Sequence, residues 1–254
     1  MIIGNGKMLA TVEDSKITKL FWPTVNNFQN MVESRIGIFS FNDNAVSWID
    51  EWKTKQQYVE NSNILETTTK KGTAIIHIKD FVLPMENCLL RIISTNEPAM
   101  IYCCTKTQLG ENQKKDSVIF ESGMLHKNKD VALCVFSPNE IKEHDVGEIE
   151  MDSLQEKNAG ESTSVMSFFT APDKDGNNKA AIFIAISNSV KDVNKIMTST
   201  LNTDKIFMDT GQRLCRLRFR FSRISLRSCE ILFLAEKCNN KAQIPHVRRR
   251  NRNK

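Results

Sequence analysis

No long hydrophobic run occurs anywhere in the 254 residues. The start, Met1 to Lys7, lacks the apolar core of about seven or more residues that a secretory signal needs, and no stretch approaches the roughly 20 apolar residues of a membrane span. These absences predict a cytoplasmic protein with no membrane partner. Glycine and proline number only 10 and 6, which excludes collagen-like and low-complexity chains. Reaction motifs are missing as well. There is no G-x-S-x-G elbow, phosphate-cradling P-loop, dinucleotide fingerprint, H-E-x-x-H pair or C-x-x-C pair. No cofactor and no metal are therefore expected. The four histidines, His77, His126, His144 and His246, are widely scattered and read as structural residues.

Seven cysteines are present, at 88, 103, 104, 134, 215, 229 and 238. An odd number without a secretion signal fits reduced thiols better than a disulfide framework. The adjacent Cys103 and Cys104 lie in a strand-like run, so one thiol is expected in a core and the other outside it.

The net charge of +5 conceals two unlike parts. Up to Thr210 the chain holds 22 Lys and Arg against 28 Asp and Glu, a balance of −6; from Gly211 onward it holds 13 against 2, a balance of +11. Arginine usage changes at the same place. Only Arg35 and Arg91 precede Gly211, whereas 10 arginines follow it. Three readings of this tail compete. It could bind nucleic acid nonspecifically through phosphate neutralisation. Cys215, Cys229, Cys238 and His246 could hold zinc, but they lack the close ligand pairs that such sites use. We read residues 211–254 instead as a non-native reading frame or unselected tail, with nonspecific polyanion binding as its physical consequence.

Before the tail, short runs rich in β-branched and aromatic residues recur between turn signals. The clearest are Met8–Val12, Ile17–Phe21, Arg35–Phe41, Ile64–Thr69, Thr73–Val82, Leu89–Ser94, Ala99–Lys106, Val131–Ser137, Val165–Thr170 and Ala180–Ser187. Small polar residues mark turns at Glu13-Asp14-Ser15, Lys70-Lys71-Gly72 and Asp173 to Asn178. Glu140 to Glu161 is acidic and reads as a loop or irregular insertion. Ser189 followed by Asp192 forms a capping box ahead of Val190, Val193, Ile196, Met197 and Leu201 at helical spacing. The expectation is an all-β protein, a large antiparallel sandwich over residues 1–188, then a short linker helix region at 189–210 and the tail.

Two aromatic groups are candidates for contact with something outside the domain. Pro23 forces Trp22 towards an extended conformation, which would present Phe21, Trp22 and Pro23 as an apolar strand end prone to docking or self-association. Trp48 and Trp52 stand four residues apart, a spacing that places them on one side of a strand or a helical turn. They are a possible sugar platform, though burial would explain them too.

The opening Ile3-Gly4-Asn5-Gly6-Lys7-Met8-Leu9-Ala10-Thr11-Val12, followed by Ile17-Thr18-Lys19-Leu20-Phe21-Trp22-Pro23, resembles the start of prokaryotic glucoamylase-type enzymes of glycoside hydrolase family 15. The resemblance continues through Arg35 to Phe39, Trp52, Tyr58, Asp80 to Pro84 and Leu90-Arg91, and weakens after about residue 100. It implies a β-supersandwich, a linker helix and then an (α/α)₆ barrel whose two glutamates act as general acid and base. No match to that barrel occurs in this sequence, and no acid pair before the tail is marked as a glycosidase site. The expectation is thus a non-catalytic sandwich whose partner is the missing barrel, with α-glucan as a possible ligand. Alternatives are a free-standing carbohydrate-binding module, or a basic nucleic-acid-binding protein acting through its tail.

Overall fold

The structure, a computed structural model, describes residues 1–23, 28–41, 44–110, 116–147, 162–173 and 177–202. The readings of the tail at 211–254, of its zinc and polyanion chemistry, and of the linker beyond residue 202 lie outside these residues. The described chain is an all-β sandwich with one helix. Its strands are β1 (Ile2–Gly4), β2 (Leu9–Glu13), β3 (Lys16–Phe21), β4 (Gln29–Ser40), β5 (Ala45–Trp48), β6 (Lys53–Tyr58), β7 (Leu65–Lys71), β8 (Ala74–Val82) and β9 (Cys88–Thr95). They continue as β10 (Met100–Thr107), β11 (Asp116–Phe120), β12 (Gly123–Lys127), β13 (Ala132–Phe136), β14 (Ile141–Gly147), β15 (Ser162–Phe169), β16 (Ala171–Pro172) and β17 (Asn178–Ser187). Helix α1 spans Val190–Asn202.

Two antiparallel sheets face each other. The first runs β1-β2-β3-β4-β10-β15-β14, with β5 alongside β4; the second runs β11-β12-β13-β17-β9-β8-β7-β6, with β16 on β17. Their facing sides form one apolar core, to which the first sheet contributes Ile17, Leu20, Ile36, Ile101 and Phe168, and the second Ile78, Leu89, Ile93, Val135, Ile182 and Ile184. Period-two alternation explains the first sheet, where inward apolar residues alternate with outward, more exposed ones. The second sheet behaves differently. Leu90, Ile92, Phe136, Ala181 and Phe183 on its other side are also buried, and α1 packs against β13 and β17. Ser189 caps that helix: its Oγ accepts the Asp192 amide at 3.2 Å and donates to Asp192 Oδ2 at 2.8 Å.

The acidic stretch after Glu140 is a correction to the sequence reading. Residues 141–147 form strand β14 at the edge of the first sheet, paired with β15 from Ile141↔Phe168 to Gly147↔Thr163. Ile141 and Val146 at its two ends pack against the core, and the edge position lets Lys142, Glu143, His144 and Asp145 between them stay exposed.

One ionic contact crosses the core. Arg91 on β9 donates from Nε to Asp80 Oδ1 on β8 at 2.7 Å and from Nη2 to Asp80 Oδ2 at 3.2 Å. The same guanidinium reaches the opposite sheet, donating to the carbonyls of Ser15 and Ser34. Both charged side chains are fully buried. Removing one partner strands the other charge in the core. Asp80→Ala should therefore destabilise the fold by about 3–5 kcal/mol, read from urea denaturation; a loss below about 1 kcal/mol would show that the pair does not hold the sheets.

Candidate functional site

Phe21, Trp22 and Pro23 do not form an outward patch. Trp22 is 6% exposed and belongs to the core. It keeps the face of Leu20, two residues earlier and fully buried, so the alternation of β3 carries it inward past the strand end. Asn30 Nδ2 donates to its carbonyl at 2.9 Å. Its indole Nε1 has no hydrogen-bond partner among the described residues. Phe21 is half-buried and only Pro23 is exposed. The sequence argument used the proline's effect on backbone direction and missed the parity of the side chains. Trp22→Ala should cost about 3–5 kcal/mol in a denaturant titration, whereas an exposed tryptophan would change stability by less than about 0.5 kcal/mol.

Trp48 and Trp52 are separated by a 3₁₀ turn at Ile49–Glu51 and point to different places. Trp52 packs against the core, its Nε1 donates to Ser47 Oγ at 2.9 Å, and the Lys71 ammonium stands 5.8 Å from its ring. Trp48 ends β5 and lies opposite Gly37 of β4 on the outward face of the first sheet. A Cβ at Gly37 would collide with Val46 and meet the Trp48 ring at 3.1 Å. Glycine thus lets the indole lie against the sheet. The Arg35 guanidinium sits 4.7 Å from the centre of the same ring. Arg35 is held in turn by Asp50 at 3.0 Å, Glu51 at 2.8 Å and Glu33 at 3.6 Å. Its side chain is only 11% exposed, whereas the indole beside it is half-exposed.

The outward face continues with residues that the sequence reading did not single out. Phe39 lies 6.1 Å from Tyr102 and 5.1 Å, edge-on, from the exposed Phe41. Tyr102 OH donates to Glu143 Oε2 at 3.0 Å. Desolvation and the Glu143 carboxylate push the phenol up from its ordinary range, so it stays a protonated donor at neutral pH. The available signal was Gly37 within a strand, where a missing side chain marks a close approach.

Buried polar groups form a second cluster. His126 Nε2 lies 3.1 Å from Ser164 Oγ and its Nδ1 lies 2.9 Å from Ser117 Oγ. A serine beside an imidazole has the geometry of an activated nucleophile. Both Ser164 and His126 are fully buried, however, so no substrate can reach them. His77 is exposed and pairs with Thr68 Oγ1 at 3.0 Å; His144 is exposed on β14.

The four cysteines among the described residues are all withdrawn from solvent. Cys103 faces the core, as the strand alternation predicts, but Cys104 on the other side is also buried. Burial raises the thiols of Cys88, Cys103 and Cys134 and takes Cys104 up to about 12. A thiol held so high is a poor nucleophile at neutral pH. Iodoacetamide labelling followed by peptide mapping should leave all four unmodified in the native protein and modify them in denaturant; rapid native labelling of Cys104 would contradict this environment.

No family model matches the chain. Over 157 residues it is 29% identical to an uncharacterized glycosyl hydrolase of Methanocaldococcus jannaschii, a match covering 58% of this chain and 25% of that protein. The chain therefore spans about a quarter of the curated relative it matches. In fold it is similar to a bacterial glucoamylase solved in complex with acarbose, with a TM-score of 0.62 and 15% identity, covering 79% of this chain and 33% of the other. These define a glycosyl hydrolase-like β-sandwich domain. Similarity at that identity supports the architecture and carries no catalytic residue across.

Proposed function

We propose that this sandwich is the amino-terminal, non-catalytic domain of a glucoamylase-like α-glucoside hydrolase, and that it packs on an (α/α)₆ barrel that performs the chemistry. The observation that supports this most is the sequence match to a glycosyl hydrolase that takes up only a quarter of the relative's length. The glucoamylase likeness in fold agrees with that reading. So does the chemistry available here. Among the described residues, His126 with Ser164 is sealed in the core, while Tyr102 with Glu143 and His77 with Thr68 lie on open sheet faces. A glycosidase holds two carboxyl groups at a defined separation across an enclosed sugar.

Purified chain incubated with maltoheptaose should release no glucose, because a positioned general acid and base each contribute roughly 10²–10⁴ in rate. Hydrolysis that follows the protein through purification and disappears when one acid within residues 1–210 is changed would overturn the non-catalytic reading. The packing partner is checked separately, by sequencing the gene downstream of codon 210: an open frame encoding a helical barrel is expected, and its absence removes the partner.

A further inference from the structure

The outward face of the first sheet carries one cross-strand row whose composition suits a particular ligand. Trp48 pairs with Gly37, Gly37 with Tyr102, Tyr102 with Ser167, and Ser167 with Glu143. The row therefore crosses five strands, β5-β4-β10-β15-β14, and reaches Glu143 just past a register shift in β14. At about 4.8 Å per strand it extends some 19 Å or so. Its accessible groups are the rings of Trp48 and Tyr102, with the glycine gap between them, and the Glu143 carboxylate; Ser167, between Tyr102 and Glu143, is buried. We propose that this row is a saccharide-binding platform, and that its ligand is a linear α-glucan. The choice of an α-linked glucan rests on the proposed glucoamylase-like function; the platform itself rests on the geometry.

The physical case begins with Trp48. The missing side chain at Gly37 lets the indole lie close to the sheet, the Arg35 guanidinium stands 4.7 Å from the ring centre, and the ring so held in orientation is half-exposed. Rigid aromatic surface of this kind matches the C–H face of a pyranose ring, giving apolar contact at little cost in side-chain entropy. Tyr102 and Phe39 continue the apolar surface beside the gap at Gly37. The polar requirement of a sugar is met at the other end of the row. Glu143 uses one oxygen for the Tyr102 hydroxyl, and a carboxylate has further lone pairs for sugar hydroxyls.

Charge separates this ligand from others. Arg35, the cation beside the ring, is already held by three carboxylates, which leaves it poorly placed to take a phosphate or a nucleic-acid backbone. A neutral polyol is indifferent to that balance. A protein partner is also a poorer fit. The cores of protein interfaces are depleted in charge, whereas here a four-residue ionic cluster interrupts the apolar area.

Isothermal titration calorimetry of the full chain with maltoheptaose, and with cellohexaose as the β-linked control, tests the proposal. Maltoheptaose should bind with submillimolar affinity and cellohexaose at least tenfold more weakly. Trp48→Ala should weaken binding at least tenfold, and Glu143→Gln about threefold. Glu143 is exposed, so its variant remains informative if the tryptophan variant fails to fold. Trp52→Phe, on the other side of the 3₁₀ turn, should bind as the parent does. Absence of maltoheptaose binding, preference for cellohexaose, or unchanged affinity in folded Trp48→Ala would overturn it. So would a dimer that Trp48→Ala dissociates without any glucan binding, which would make the face a protein interface. Binding accompanied by hydrolysis would sink the non-catalytic reading and leave the platform standing; an inert chain that binds nothing would do the reverse.

Discussion

The sandwich depends on a guanidinium that is shared between its two sheets. Arg91 rises from the second sheet, forms a bidentate pair with Asp80 beside it, and donates to two main-chain carbonyls of the first. Burying one ion costs several kcal/mol, and such a cost is offset only when geometry is good and the remaining donors are satisfied. Full burial pushes the Asp80 carboxyl up from its ordinary range, and the adjoining guanidinium opposes that displacement. One of the carbonyls belongs to Ser15 in the two-residue turn between β2 and β3, where Asp14 and Ser15 both have positive φ, 45° and 74°. Asn-Gly or Asp-Gly usually occupies such a turn. Here a serine accepts the strained backbone, and its carbonyl reaches Arg91. The β2–β3 hairpin is thereby tied to the centre of the second sheet.

The other arginine of the first 210 residues does comparable work on the opposite side of the first sheet. Arg35 gathers Glu33, Asp50 and Glu51 and stacks on Trp48, so β4, the 3₁₀ turn and the end of β5 are tied together by one side chain. A lysine could supply the charge but not the planar fork or the stacked ring contact. That gives a physical meaning to the arginine count. In a segment that otherwise uses lysine for its positive charge, both arginines occupy sites where geometry, rather than charge alone, is required.

These two sites also mark what the sequence could and could not reveal. The ten strand runs read from composition all correspond to strands, because their inward residues are β-branched or aromatic and their turns are chemically marked. Of the strands that were missed, β5, β6, β11 and β14 lie at sheet edges, where composition is free to be polar, whereas the internal β12 is only five residues long and includes Gly123 and His126. Trp22 was misplaced because the argument stopped at the proline and did not continue the alternation of Leu20. Trp48 and Trp52 were paired by spacing, and an intervening 3₁₀ turn separated them. The cross-strand row from Trp48 to Glu143 joins two residues 95 positions apart across five strands. Such a constellation depends on register, which local pattern does not contain.

The second sheet shows how much can be inferred when a pattern is lost. Leu89 to Ile93 and Ala180 to Ile186 are nearly continuous apolar runs in which Arg91 alone is charged. Alternation vanishes when a strand is buried on both faces, and both runs are indeed buried throughout. The sheet is therefore an inner layer, with the first sheet on one side and α1 against part of the other. The first sheet has a half-exposed outward face studded with aromatic and charged groups. This asymmetry divides the labour of the domain: the inner layer supplies cohesion, and the outward face of the first sheet is the surface on which specificity towards a ligand can be built without disturbing the core.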